Sequence, residues 1–187
     1  MNTDNAFGLR PVCHINGSPY NGQSQEFYIP ETDTDDIGPG DPLTLAGSAD
    51  ANGVPSVSKA ASGDPILGVM TAVSRPLRDD PVFREASTAR YILAVTDPNI
   101  LFAIQEDSVG GALAATNVGQ NAELAIGTVS GQGISQTELD SSTAATTVGH
   151  DLKIIRLLNR EDNEIGDNAE WLVKINNHQY ADGEAGV

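Results

Sequence analysis

The stretch Tyr91-Ile-Leu-Ala-Val-Thr-Asp-Pro-Asn-Ile-Leu-Phe-Ala-Ile-Gln105 decides how this chain is read. Two runs of β-branched, aliphatic and aromatic residues flank Asp97-Pro98-Asn99. Pro98 fixes φ near the value that a turn's second position wants. Asp97 and Asn99 supply side-chain bonds to the local backbone. Each run has the length of a strand and is short for a helix. The expected arrangement is a hairpin, Tyr91–Thr96 paired with Ile100–Gln105. The alternative is two adjacent strands that do not pair. Both runs are apolar on both faces, so they belong in the middle of a sheet covered on both sides.

Upstream, the signal Gly-Asp-Pro occurs twice. Gly40-Asp41-Pro42 leads into Leu43–Ala46, and Gly63-Asp64-Pro65 leads into Ile66–Val73. Glycine supplies a positive-φ corner, and proline is tolerated at a strand's first residue. Val54–Lys59 forms a further strand between them. Gly68, inside a strand, marks a bulge or a close backbone contact. Downstream, Gly119–Ile126, Asp151–Leu158 and Glu170–Asn176 read as strands. Ala112–Asn117 reads as a short helix, Gly127–Gln136 as a mobile loop, and Leu139–Val148 as an edge or long connection. In the strand from Asp151, Leu152, Ile154 and the Arg156 stem share one face, and Ile155 and Leu157 the other. Short strands punctuated by Gly, Pro and Asp predict an all-β fold, a small β-barrel or β-sandwich.

Three regions are expected: an arm and acidic loop over 1–37, a β-domain over 38–180 and a flexible tail over 181–187. In the arm, Phe7, Leu9, Val12, Ile15 and Tyr20 are scattered among Asn, Gly and Pro without helical period. Such an irregular, aromatic-bearing segment either docks onto a neighbour or lies along its own barrel. On the docking reading the partner-binding residues are Phe7, Leu9, Arg10, Val12 and Tyr20. Gln25–Ile29 is a short strand. Glu31-Thr-Asp-Thr-Asp-Asp-Ile37 lacks the spacing of an ordered calcium loop and reads as a solvated acidic loop. Residues 75–89 read as an exposed loop. Its arginines either meet an acidic partner or balance Asp79, Asp80 and Glu85.

The chain has 187 residues, enough for one domain, and only 5% aromatic residues, so its core is lean. A formal net charge of −16 repels phosphate backbones and anionic membrane surfaces, which argues against nucleic acid and membrane as partners. Cys13 is alone, so no intrachain disulfide forms, as suits a reducing compartment. Met1–Asn5 carries no basic and apolar leader pattern, so no signal peptide is expected. His14, His150 and His178 stand far apart, without metal-ligand spacing. Cys13 and His14 point to opposite sides of an extended chain. No nucleophile elbow or phosphate loop occurs. The expectation is a protein without catalytic residues, metal or cofactor.

Several strings together carry a family likeness. They are Phe7-Gly-Leu-Arg-Pro-Val12, Gly17-Ser-Pro-Tyr-Asn-Gly22, Leu45-Ala-Gly-Ser-Ala-Asp-Ala-Asn-Gly-Val-Pro55, Ala86-Ser-Thr-Ala-Arg-Tyr91, Leu139-Asp-Ser-Ser-Thr143 and Asn163-Glu-Ile-Gly-Asp-Asn-Ala-Glu-Trp-Leu-Val173. Over nearly its whole length the chain resembles a family of tailed-bacteriophage virion proteins described as structural, coat or capsid cement proteins. The resemblance implies a non-enzymatic decoration protein, made in the host cytoplasm and seated on the outer capsid surface. Its implied partners are the major capsid protein and further copies of itself, as a dimer or trimer. The alternative is a tail- or fibre-associated β-domain that binds the host surface, with Gly127–Gln136 as its ligand loop.

Overall fold

The computed structural model describes residues 2–181. Its strands are β1 (Arg10–His14), β2 (Gln25–Ile29), β3 (Pro42–Ala49), β4 (Pro55–Lys59), β5 (Gly68–Val73) and β6 (Arg90–Val95), then β7 (Ile100–Gln105), β8 (Asn121–Ala122), β9 (Leu124–Ala125), β10 (Glu138–Leu139), β11 (Leu152–Leu157) and β12 (Glu170–Ile175). Strands β2-β4-β3-β5-β6 close into a barrel. A second sheet runs β1-β7-β12-β11-β8, and β9 pairs with β10. The fold is all-β and contains a small barrel, as the sequence predicts. The short helix expected at Ala112–Asn117 is a single 3₁₀ turn, Ala115–Asn117.

Strand alternation builds two cores from one wall. Val69 on β5 faces Val95 on β6, and both join the core shared with the second sheet. Their neighbours Met70 and Ala94 point the other way, into the barrel, with Phe27, Ile29, Leu43, Val57 and Ile92. The shared core is completed by Phe102, Ile104, Ile154, Trp171, Val173 and Ile175. A period-2 wall apolar on both faces therefore serves barrel and sheet at once.

The expected hairpin does not form. β6 lies between β2 and β5 in the barrel, whereas β7 lies between β1 and β12 in the second sheet. The turn itself is present: Ile100 N donates to Asp97 O at 3.2 Å, and Asn99 N to Asp97 Oδ1 at 2.8 Å. Proline explains the difference. Two-residue hairpin turns need positive φ at their first central residue, which Pro98 forbids. Asn99 does not adopt positive φ either. The turn splays the strands, and each takes a central place in a different sheet. All six residues of β7 are buried, but β6 leaves Leu93 exposed.

Both Gly-Asp-Pro signals make the same corner. Asp41 N donates to Gly38 O while its carboxylate accepts from Gly38 N; Asp64 does the same with Ala61. Gly40 and Gly63 hold φ of +96° and +85° at the third position, as a type II turn demands. Gly68 is the predicted close contact: a Cβ there would lie 2.1 Å from Val95 O.

The boundary expected at residue 37 is not a structural one. β1 pairs with β7 and β2 completes the barrel, so residues 2–37 are woven into both sheets. Asn2 donates to Glu164 O and Asp167 O, and Gln105 binds Thr3 O and Asn5 N. Of the two alternatives for the arm, the chain takes the one in which it lies along its own domain. Of the tail expected over 181–187, only Ala181 is among the described residues. A bulge between Ile154 and Arg156 also flips the predicted phase of β11: Leu157 joins the core face and Arg156 is exposed. Both edge strands of the second sheet are covered. Segment 18–20 bonds to β1 through Cys13–Pro19 pairing, and Ala145 exchanges two hydrogen bonds with Asn121 of β8.

Candidate functional site

The segment after Asn5 crosses the barrel mouth where two glycines meet. Gly8, with φ of +69°, lies against Gly40, and a Cβ on it would sit 2.6 Å from Gly40 O. Leu9 N donates to Gly40 O at 2.9 Å. This crossing drives Phe7 and Leu9 inward, and both are buried in the chain's own fold. They are thus not free anchors for a neighbour, as the docking reading expected. Arg10 is exposed, with its guanidinium 4.2 Å from the centre of the Phe7 ring. Tyr20 packs partly against the shared core and donates its hydroxyl to Gln23 O. Val12 sits at the β1 bulge, exposed.

Four of these five residues nevertheless come together. Phe7, Leu9, Arg10 and Tyr20 line one groove of roughly 330 Å³, with Met70 and Ile134 opposite. Val12 does not line it. Beside it opens a wider cleft of roughly 720 Å³, sharing Phe7, Arg10 and Ile134 and lined further by Asp4, Thr128 and Glu138. The far wall is the segment Gly127–Gln136. It is a small hairpin rather than a free loop: Val129 pairs with Ser135, and Ser130 N donates to Ile134 O at 2.8 Å. Its base is fixed by Lys59 Nζ on Gly127 O at 2.7 Å and by Ser135 Oγ on the buried Asp41 at 2.6 Å. The sequence reading missed Asp4 and Glu138, and it named Ile134 only as part of the loop Gly127–Gln136. Val129 and Ile134, two branched aliphatic residues in a run rich in Gly, Ser and Gln, were the available signal.

The cleft is electrostatically uneven. Burial pushes the Glu138 carboxyl up to about 7, with the charges of Asp4 and Asp107 adding to the shift. Asp4 and Glu138 make no side-chain hydrogen bond or ion pair with the described residues. Arg10 stands as an exposed cation at the border between cleft and groove. The surface therefore offers an apolar slot, a stacked guanidinium, the half-buried Glu138 carboxyl and the exposed Asp4 carboxylate side by side. Such a combination suits recognition of a polypeptide.

Other candidates resolve into structure. The acidic stretch 31–37 is not simply solvated; it encloses Arg84, which is buried and not part of an exposed loop. Its Nε donates to Thr88 O, Nη1 to Asp33 Oδ1 and Asp35 O, and Nη2 to Pro30 O and Asp33 O, at 2.6–2.8 Å. All its N–H donors are used. Among the described residues no three His, Cys, Asp or Glu side chains are grouped to hold a metal. Ser62 Oγ donates to Glu123 Oε2 at 2.8 Å, and Glu123 Oε1 lies 3.6 Å from His150 Nε2. The carboxylate sits between hydroxyl and imidazole, so this histidine cannot take the serine proton directly. Compared with known protein families, curated proteins and solved structures, the chain matches none.

Proposed function

We propose that the chain is a non-enzymatic cement protein of a bacteriophage head, which binds the outer capsid surface and bridges adjacent major capsid subunits. The observation that carries the reading is the groove that gathers Phe7, Leu9, Arg10 and Tyr20 beside Ile134. The same segment holds the first two of the strings that resemble virion structural proteins. An apolar slot with a stacked arginine is the kind of feature that anchors a protein interface, and repetition over a lattice multiplies weak contacts. A net charge of −16 suits the outside of a shell packed with DNA and opposes contact with the DNA itself.

The test uses undecorated heads and two residues of the site, the exposed Arg10 and the half-buried Ile134. Arg10→Glu and Ile134→Asp are expected to keep the parent circular dichroism and lose most occupancy on the heads. Full occupancy by both folded variants would overturn the reading. The second reading, a fibre or tail domain that meets the host, is favoured by the hairpin 127–136, which walls the wide cleft. Copy number in purified virions separates the two: comparable to the major capsid protein for cement, a few per particle for a fibre.

A further inference from the structure

Asn-Gly occurs three times, at Asn16-Gly17, Asn21-Gly22 and Asn52-Gly53, and all six residues are exposed. Asparagine before glycine is prone to spontaneous deamidation. The backbone nitrogen of the glycine attacks the asparagine Cγ, a C–N bond forms, and the side-chain nitrogen leaves as ammonia. Water then opens the resulting succinimide at either carbonyl to give aspartate or isoaspartate. The reaction needs a free backbone N–H and a side chain free to swing toward it.

The fold grants both conditions at one of the three positions. Gly17 N donates to His14 O at 2.8 Å, and Gly53 N to Asp50 O at 3.2 Å, so two of the nucleophiles are locked inside turns. Their asparagines are held as well. Asn16 Oδ1 accepts from Ser18 N and Oγ, and Asn52 Nδ2 donates to Asp50 Oδ2. Gly22 N and the Asn21 side chain have no hydrogen-bond partner among the described residues. Gly22 lies outside regular structure, with open space where a Cβ would point. We propose that Asn21-Gly22 is a selective site of deamidation and isoaspartate formation, while the fold protects Asn16 and Asn52.

The position gives the modification a structural effect. The bend is braced by Tyr20 Oη on Gln23 O and by Asn21 N on Gln23 Oε1. Isoaspartate inserts a methylene into the backbone between these two bonds and adds a negative charge. Tyr20, which lines the groove, then loses its brace.

The full-length chain is aged in mildly alkaline buffer, natively and in denaturant, and followed by peptide mapping with enzymatic methyl labelling of isoaspartate. In the native chain Asn21 should convert about fivefold faster or more than Asn16 or Asn52, since each of these must first break a turn hydrogen bond. In denaturant the three rates should converge. Native rates that are equal, or an order led by Asn16 or Asn52, would overturn the proposal. So would an unchanged spread in denaturant, because local sequence would then set the order. Asn21→Gln should abolish the leading product and leave the slower two.

Discussion

The Arg84 guanidinium lies 2.7 Å from Asp33 Oδ1 with no exposure to solvent. The remaining donors end on backbone carbonyls of Pro30, of Asp33 and Asp35 in the acidic stretch, and of Thr88. The acidic stretch is thus organised around an internal cation. Lysine has three donors on a point charge and cannot reproduce a planar fork. Arg84→Lys is expected to cost about 2–4 kcal/mol, with Arg84→Met at the upper end because Asp33 is left unpaired. Urea unfolding checks this through a lowered midpoint at unchanged slope.

Gly68 and Gly53 separate two reasons for needing glycine. Gly68 has no room, since a Cβ would meet Val95 O at 2.1 Å. Gly53 has open space but φ of +83°. Gly53→Ala should cost about 1 kcal/mol from backbone strain alone. Gly68→Ala must part β5 from β6 and should cost more than about 3 kcal/mol. Thermal melts of the two variants should therefore rank Gly68→Ala well below Gly53→Ala.

Acid dependence follows from three groups with opposite signs. Burial raises Glu138 from 4.5 to about 7 and Asp151 from 3.8 to about 6. In these windows the folded state holds more protons, so each contributes rising stability as pH falls through its folded value. Burial lowers His178 from 6.5 to about 4. The unfolded state then holds the extra proton, and this contribution is lost as pH falls from 6.5 toward 4. Glu138→Gln should stabilise the chain by about 2 kcal/mol above the folded value, discounted for partial exposure. The gain should shrink as pH falls below 7 and vanish near the ordinary glutamate value, as unfolding curves across pH will show.

Deletion of residues 2–20 should abolish cooperative folding, because it removes β1 from beside β7 and takes Leu9 from the shared core. Leu9→Ala alone should cost about 2–5 kcal/mol. Val12→Ser, at an exposed bulge, should stay within about 0.5 kcal/mol. A truncated chain that melts cooperatively would show that the segment is dispensable.

What was legible in the sequence is what local chemistry decides. Strands β3, β5, β7, β11 and β12 follow from Gly-Asp-Pro corners and apolar runs, and Trp171, Val173 and Ile175 face the core at alternate positions of β12. What stayed hidden depends on long-range partners. The same Asp97-Pro98-Asn99 turn serves a hairpin or a crossover, and only the bar on positive φ at Pro98 distinguishes them. Phe7 and Leu9 look like an unpaired arm because their partners, Gly40 and the core residues of β7 and β12, lie far along the chain. Glu138 and Ile134 carry no pattern that marks them as neighbours of Arg10; the hairpin 127–136 brings them there.

The closed barrel and the covered flanks of β1 and β8 limit how copies of this chain can add to one another. Growth by ribbon extension, one backbone ladder templating the next, finds no open rung at those places. Assembly must instead go through side-chain surfaces of fixed shape. Such surfaces saturate when their sites are filled, so crowding many copies together should yield a finite stoichiometry rather than a fibre.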